Sequence, residues 1–280
     1  MVALVTGHRG FLGRHVVAEL HERSQVVVGA GRPEVEIPSV EFSALVREAR
    51  PKLVVHCAGP ASVPASVEDP DGDRAATLDA LAAVLATIGS ARLVLVSSAA
   101  VYGEPDALPV AEDAPLAPVS PYGLHRVEAE RLARDGGGPV AIARVFSAYG
   151  EGLRRQVLWD VARRALEDGP VVLSGTGSET RDFVHVRDVA RAIATIAERA
   201  SFGGEAFNVA TGVETSIAEL AELVTRELGG TAVRFSGAQR PGDPQRWRAD
   251  IGRVRGLGFE PSVRIEDGAA AYARWVREQA

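Results

Sequence analysis

A chain of 280 residues can bury a full core, and with 46% hydrophobic and 24% charged residues it has the balance of a folded globular protein, which excludes disordered and low-complexity classes. A formal net charge of -6 disfavours a polyanionic partner, so no nucleic acid is expected, and no apolar run is long enough to cross a bilayer, so no membrane is expected either. Cys57 is the single cysteine, which excludes an internal disulfide and a cysteine-cluster zinc site.

In chain order, a strand is predicted over residues 3–5, directly after an N-terminus with no basic leader, which points to the cytoplasm. A helix over 11–22 follows, then a strand over 25–28, a helix over 43–49 and a strand over 53–56. Next come a helix over 75–88, a strand over 93–96, a helix over 122–133 and a strand over 140–145. Such βαβ repetition predicts an α/β chain with a doubly wound parallel sheet, whose ligands sit beyond the carboxyl ends of the strands. After Val145 the rhythm loosens, with glycine and proline at Gly150, Gly152, Gly169, Pro170, Gly175 and Gly177, before a strand-helix unit over 181–199. A smaller C-terminal lobe should hold a helix over 216–228, a strand near Val233, a turn at Arg240-Pro241-Gly242-Asp243 and a last helix ending near Val276.

Between the first strand and first helix lies Thr6-Gly7-His8-Arg9-Gly10-Phe11-Leu12-Gly13. Gly7, Gly10 and Gly13 let the backbone turn tightly and approach a pyrophosphate, while Phe11 and Leu12 begin a helix whose free N-H groups face the anion. A nicotinamide dinucleotide is the expected ligand. The second strand ends in Val28-Gly29-Ala30-Gly31-Arg32, without the acid that usually holds the ribose of NAD. Arg32, with Arg9 from the glycine turn, suits a 2′-phosphate instead, so NADP(H) is preferred and NAD(H) is the alternative. On this reading residues 1–146 with roughly 182–210 form the dinucleotide-binding domain, and 147–181 with 211–280 the substrate-binding lobe.

Two further motifs follow strands four and five: Ser97-Ser98-Ala99-Ala100-Val101-Tyr102-Gly103 and Arg144-Val145-Phe146-Ser147-Ala148-Tyr149-Gly150. Ser120-Pro121-Tyr122-Gly123-Leu124-His125-Arg126 opens the helix between them, and Arg181-Asp182-Phe183-Val184-His185 comes later. Together with the glycine turn, His56-Cys57-Ala58-Gly59 and the Arg240 to Asp243 turn, these make the chain resemble the extended short-chain dehydrogenase/reductases that act on nucleotide sugars as epimerases, dehydratases and reductases. The resemblance covers nearly the whole chain.

It implies that Tyr122 exchanges a proton with a sugar oxygen, that Ser98 hydrogen-bonds the same oxygen, and that Ala58 lies along the cofactor. A free phenol titrates near pH ~10, so a neighbouring cation must lower its pKa for neutral proton exchange. The family places a lysine one helical turn after the tyrosine; here the residue is Arg126, which keeps the charge but cannot lose a proton. Tyr122 and Arg126 are also expected at the nicotinamide ribose. Ala99 and Ala100 stand where sugar-nucleotide dehydratases carry an acidic pair, which puts dehydration below the other chemistries. For the substrate the resemblance implies Arg181 and Arg240 on the diphosphate, Asp243 on the nucleoside ribose and Ser147 where relatives often carry asparagine. His56 and His125 do not displace Tyr122 as acid-base groups, and the histidines lack metal-ligand spacing, so no metal is expected. The first expectation is an NADP(H)-dependent reductase of a nucleotide-linked keto sugar, working as a homodimer. Its rivals are an epimerase with tightly bound cofactor and a dinucleotide-binding protein impaired by the exchange at Arg126.

Overall fold

The computed structural model describes residues 1–167, 169–238 and 244–279. Its elements in order are β1 (Val2–Thr6), α1 (Phe11–Glu22), β2 (Val26–Ala30), α2 (Val40–Ala49), β3 (Leu53–His56), α3 (Val63–Glu68), α4 (Pro70–Ile88), β4 (Arg92–Ser98), α5 (Pro121–Asp135) and β5 (Val140–Val145). There follow β6 (Ser147–Tyr149), α6 (Gln156–Ala165), β7 (Val171–Leu173), β8 (Thr180–Arg181), β9 (Phe183–His185), α7 (Val186–Arg199) and β10 (Gly203–Val209). The chain closes with β11 (Thr215–Ser216), α8 (Ile217–Glu227), β12 (Val233–Phe235), α9 (Gly252–Gly256) and α10 (Ile265–Glu278).

Six strands form one parallel sheet in the order β10-β5-β4-β3-β1-β2. Their side chains alternate between two cores. Ala3 and Val5 face α1 and α7, packing on Val16, Leu20, Val189 and Ile193, whereas Leu4 and Val54 face Phe42, Leu81 and Val84 of α2 and α4. Helices on both faces explain why β3 and β5 are buried along their whole length and read as mostly apolar runs, broken only by His56 and Arg144. Register puts Thr6 level with Ala30 and His56, and Val145 level with both Ser98 and Val209, so the strand ends form one ledge. Sequence reading had ended the second strand at Val28 and supplied no sixth strand.

Helix starts follow their caps. Ser39 accepts from the Phe42 amide at 3.0 Å, Asp69 from Gly72 at 2.9 Å, and Ser120 from Gly123 at 3.2 Å, with Pro70 and Pro121 at positions that need no amide. A separate apolar core gathers α6, α8 and α10 through Leu158, Val161, Leu220, Val224, Tyr272 and Val276. Outside the main sheet, β6 pairs with β9, β8 with β11 and β7 with β12. Among the described residues no helix is long and apolar enough to cross a membrane.

Candidate active site

Gly7 takes φ +65°, donates its amide to Ala30 at 2.7 Å, and accepts from the Gly10 amide at 2.8 Å. A side chain on Gly7 would sit 2.8 Å from the Ala58 nitrogen, and one on Gly13 would run into the Gly7 carbonyl oxygen. Only glycine permits this closeness of β1, α1 and the end of β3. Gly10 caps α1 without a side-chain hydrogen bond, and the first turn carries no acid. Its free amides and positive dipole end therefore fit a pyrophosphate. Leu12 packs into the sheet core and Phe11 against the separate core of α6, α8 and α10, so both would serve a ligand through their backbone.

At the neighbouring end of β2, Arg9 pairs with Glu34, and Arg32 lies 3.9 Å from Glu36. Both arginine side chains are exposed. Sequence reading placed them on a 2′-phosphate and overlooked the two carboxylates in the same segment, which balance their charge. Such surface pairs contribute only about 0–1 kcal/mol, and the two carboxylates offset the charge of the arginines.

His56 ends β3 fully inside the protein and shares a 2.8 Å hydrogen bond with the Thr6 hydroxyl, which also accepts from the Ala58 amide at 3.3 Å. Burial, and then the Arg126 charge, push its pKa down to about 3, so it is neutral at physiological pH. The unfolded chain protonates this ring near its ordinary value of 6.5, so between about pH 6.5 and 3 the unfolded state holds more protons and stability falls as pH drops. About 2 kcal/mol should be lost between pH 7 and pH 5 from this group. Urea unfolding at the two pH values checks it: His56→Gln should flatten the difference, and equal slopes in variant and parent would contradict the assignment. Beside it, burial raises the Cys57 thiol to about 12, which leaves it unreactive.

Ser98 closes β4, and its hydroxyl accepts from the Ala100 amide at 3.2 Å, capping a single 3₁₀ turn over Ala99–Val101. The N-terminus of α5 rests directly on that turn, since any side chain on Gly123 would come within 2.6 Å of the Ala100 carbonyl. One residue earlier, the Tyr122 amide donates to the Ser66 hydroxyl at 3.0 Å. Arg126, one turn on and buried, donates to the Pro60 carbonyl beyond β3 and holds its guanidinium 5.0 Å from the centre of the Tyr122 ring. Its Nε is buried with no partner among the described residues. Ser98, Tyr122, Arg126 and Ala58 are thus gathered at the ends of β3 and β4, one and two strands from the β1 that leads into the glycine turn.

Below Arg126 on the same face of α5, Glu130 is buried and receives Arg144 from β5 in a double contact of 2.9 and 2.7 Å, with the Ser97 hydroxyl donating at 2.7 Å. Arg144 also donates to the Tyr102 hydroxyl at 2.9 Å, which donates to Asn208 of β10 at 2.7 Å. His125 and Asp73 make a second buried link, 2.6 Å, from α5 to α4. Spacing of charged residues gave no sign of either link before the elements were brought together.

On the substrate side, Ser147 begins β6 and donates its amide to the Asp182 carbonyl at 3.1 Å. Arg181 lies over the Trp247 ring at 5.6 Å and donates to the Thr180 carbonyl at 2.8 Å. Trp247 in turn donates to the Gly103 carbonyl at 2.9 Å and packs edge-on against Phe146, contacts that sequence reading missed. Asp182 accepts from the Thr211 amide and hydroxyl, the Gly212 amide and the Ala249 amide. Arg240 and Asp243 lie outside the described residues. Among the described residues no cluster of histidine, cysteine, aspartate and glutamate is arranged to hold a metal.

With that geometry in place, comparison with known proteins places the chain. The UDP-glucose 4-epimerase of Mycolicibacterium smegmatis is 32% identical over 314 residues, spanning 100% of this chain and 99% of its own. The solved UDP-glucose 4-epimerase of Thermus thermophilus, in complex with NAD, superposes with a TM-score of 0.89 at 27% identity, covering 100% of both chains. The UDP-glucuronic acid 4-epimerase of Bacillus cereus, in complex with UDP-glucuronic acid and NAD, gives a TM-score of 0.91 at 25% identity, again over 100% of both. The model of the NAD dependent epimerase/dehydratase family matches residues 3–210, and together with the parallel sheet, the glycine turn and the Ser98-Tyr122-Arg126 corner it establishes that the chain belongs to that family, as an enzyme of the short-chain dehydrogenase/reductase type.

Proposed function

We propose that the protein is an NAD-dependent epimerase that inverts a ring carbinol, at C4, of a UDP-linked hexose and keeps its cofactor bound through turnover. One observation carries this reading over the reductase expected first: the cation beside Tyr122 is a buried guanidinium. A reductase consumes one solvent proton per turnover, which must reach the phenol through a group able to lose and regain it. An arginine cannot do so at any working pH. An epimerase has no such need. Tyr122 takes the proton from the sugar hydroxyl and later returns it, so Arg126 has only to stabilise the phenolate before the proton is taken and after it is given back. The nicotinamide, when bound on the ledge, supplies the place where hydride is parked and from which it returns.

Ser98 directs its hydroxyl at the reacting oxygen and holds it towards Tyr122. Because inversion requires hydride to return to the opposite face, the oxidised sugar must turn over between the two steps, while Arg181 and the segment carrying Arg240 and Asp243 retain the diphosphate and ribose. Trp247 and Ser147 bound the space in which it turns. Ala99 and Ala100 provide no carboxylate to expel a hydroxyl, which supports inversion without elimination. The carboxylates facing Arg9 and Arg32 favour NAD over NADP and thereby support the same reading. The division into a dinucleotide-binding part, 1–146 with 182–210, and a substrate lobe belongs to this proposal, as do a cytoplasmic home and a homodimer. Leu124 on α5, exposed on the outer surface, supports pairing through α4 and α5.

The test is conversion of UDP-glucose to UDP-galactose, followed by proton NMR of the anomeric region with no cofactor added, alongside release of nicotinamide nucleotide from denatured protein. Interconversion with about one NAD per chain is expected. Oxidation of NADPH in step with substrate reduction would return the reductase, dinucleotide binding without turnover would leave the impaired binding protein, and failure to bind either dinucleotide would overturn both enzyme readings.

A further inference from the structure

We propose that His8 is the residue that meets the adenosine ribose of the dinucleotide, in place of the acid missing at the end of β2. This rests on the dinucleotide reading above and adds a contact that it does not require. His8 is the second residue of the glycine turn, and its half-buried ring lies flat on Gly29: any side chain there would collide with Cγ and Cδ2 of the imidazole. Its Nδ1 comes within 3.4 Å of the point where a side chain on Gly31 would begin. Gly31 is the first residue past β2, the position from which a ribose-binding carboxylate would project. Two glycines therefore clear the space that the imidazole fills.

Nδ1 is also buried and has no hydrogen-bond partner among the described residues. An unpaired buried nitrogen is a liability in a folded protein unless a ligand completes it. The neighbouring polar groups are already engaged: Arg9 with Glu34, Arg32 with Glu36, and the Gly7 amide with Ala30. A neutral imidazole can donate at one nitrogen and accept at the other, so it suits a ribose hydroxyl, itself both donor and acceptor. Glu34 and Glu36 stand on the approach that a 2′-phosphate would need. The residue thus selects a ribose with free hydroxyls.

Isothermal titration of the full-length protein, stripped of resident nucleotide, provides the test. Its probes are NADH, NADPH and reduced nicotinamide mononucleotide, which lacks the adenosine. His8→Ala should weaken NADH about 5- to 30-fold, the loss of one buried hydrogen bond. It should leave the mononucleotide within about twofold and narrow the preference for NADH over NADPH. His8→Gln, which keeps donor and acceptor, should recover part of the loss and serves as the reading variant if the alanine protein does not fold. Unchanged NADH affinity in the variants, or an equal fall for the mononucleotide, overturns the proposal while leaving the epimerase intact. Absence of dinucleotide binding by the parent protein overturns both.

Discussion

Replacing Tyr122 by phenylalanine should lower kcat by about 10²- to 10⁴-fold while UDP-sugar and NAD binding stay within a few-fold of the parent. The ring would remain where it is, because Ser120, Ser66 and the Arg126 guanidinium position the start of α5 and its aromatic face. Among the described residues nothing hydrogen-bonds the phenol oxygen, so its removal takes away a proton carrier without unsettling the fold. Steady-state rates of UDP-glucose and UDP-galactose interconversion, paired with titration of UDP and NADH, separate the two effects. A fall of less than tenfold would move the proton to another group. His56 is the nearest candidate by position, yet its ring is buried and neutral, and its one hydrogen bond is spent on Thr6.

The largest stability effect is expected at Glu130. Glu130→Ala should cost about 3–5 kcal/mol and lower Tm by roughly 10 °C. Burial opposes the Arg144 charge, and the Glu130 carboxylate more than restores it, holding the guanidinium above its ordinary range. Without Glu130 that guanidinium is left 3% exposed among apolar strands, and the Ser97 hydroxyl loses its acceptor. Thermal unfolding of Glu130→Ala, Arg144→Met and the double variant forms a cycle. Loss of both charges should cost less than the sum of the two single changes, because neither partner is then stranded. Strict additivity would show that the pair is not coupled.

How much of this was legible beforehand differs by element. The parallel sheet was, since strands covered on both faces read as short β-branched runs and helices between them show the spacing of Val16 and Leu20. β10 was not. Its run opens on Gly203-Gly204 and carries Asn208, a polar residue whose amide group donates to the Val110 and Asp250 carbonyls, partners that exist only once the chain has folded. Ser98, Tyr122 and Arg126 were legible as a motif, and the structure brings them to one corner; the glycine turn was legible because backbone closeness leaves no substitute for glycine at Gly7 and Gly13. Glu34 and Glu36 were visible as residues but not as partners, as the path of the chain after Arg32 decides which arginine each one meets. The buried Glu130-Arg144 and His125-Asp73 links join residues on different elements, and no local pattern announces them.

Completion of the sheet waits on a long detour. β5 receives its outer neighbour only when Gly203–Val209 returns, after residues 146–202 have passed through the second body and α7. During synthesis the first five strands are therefore made with an apolar edge uncovered, along the whole of a strand that is buried in the finished protein. The two bodies are in this sense one folding unit: an N-terminal half cut after Val145 would present an adhesive strand rather than a smaller working domain.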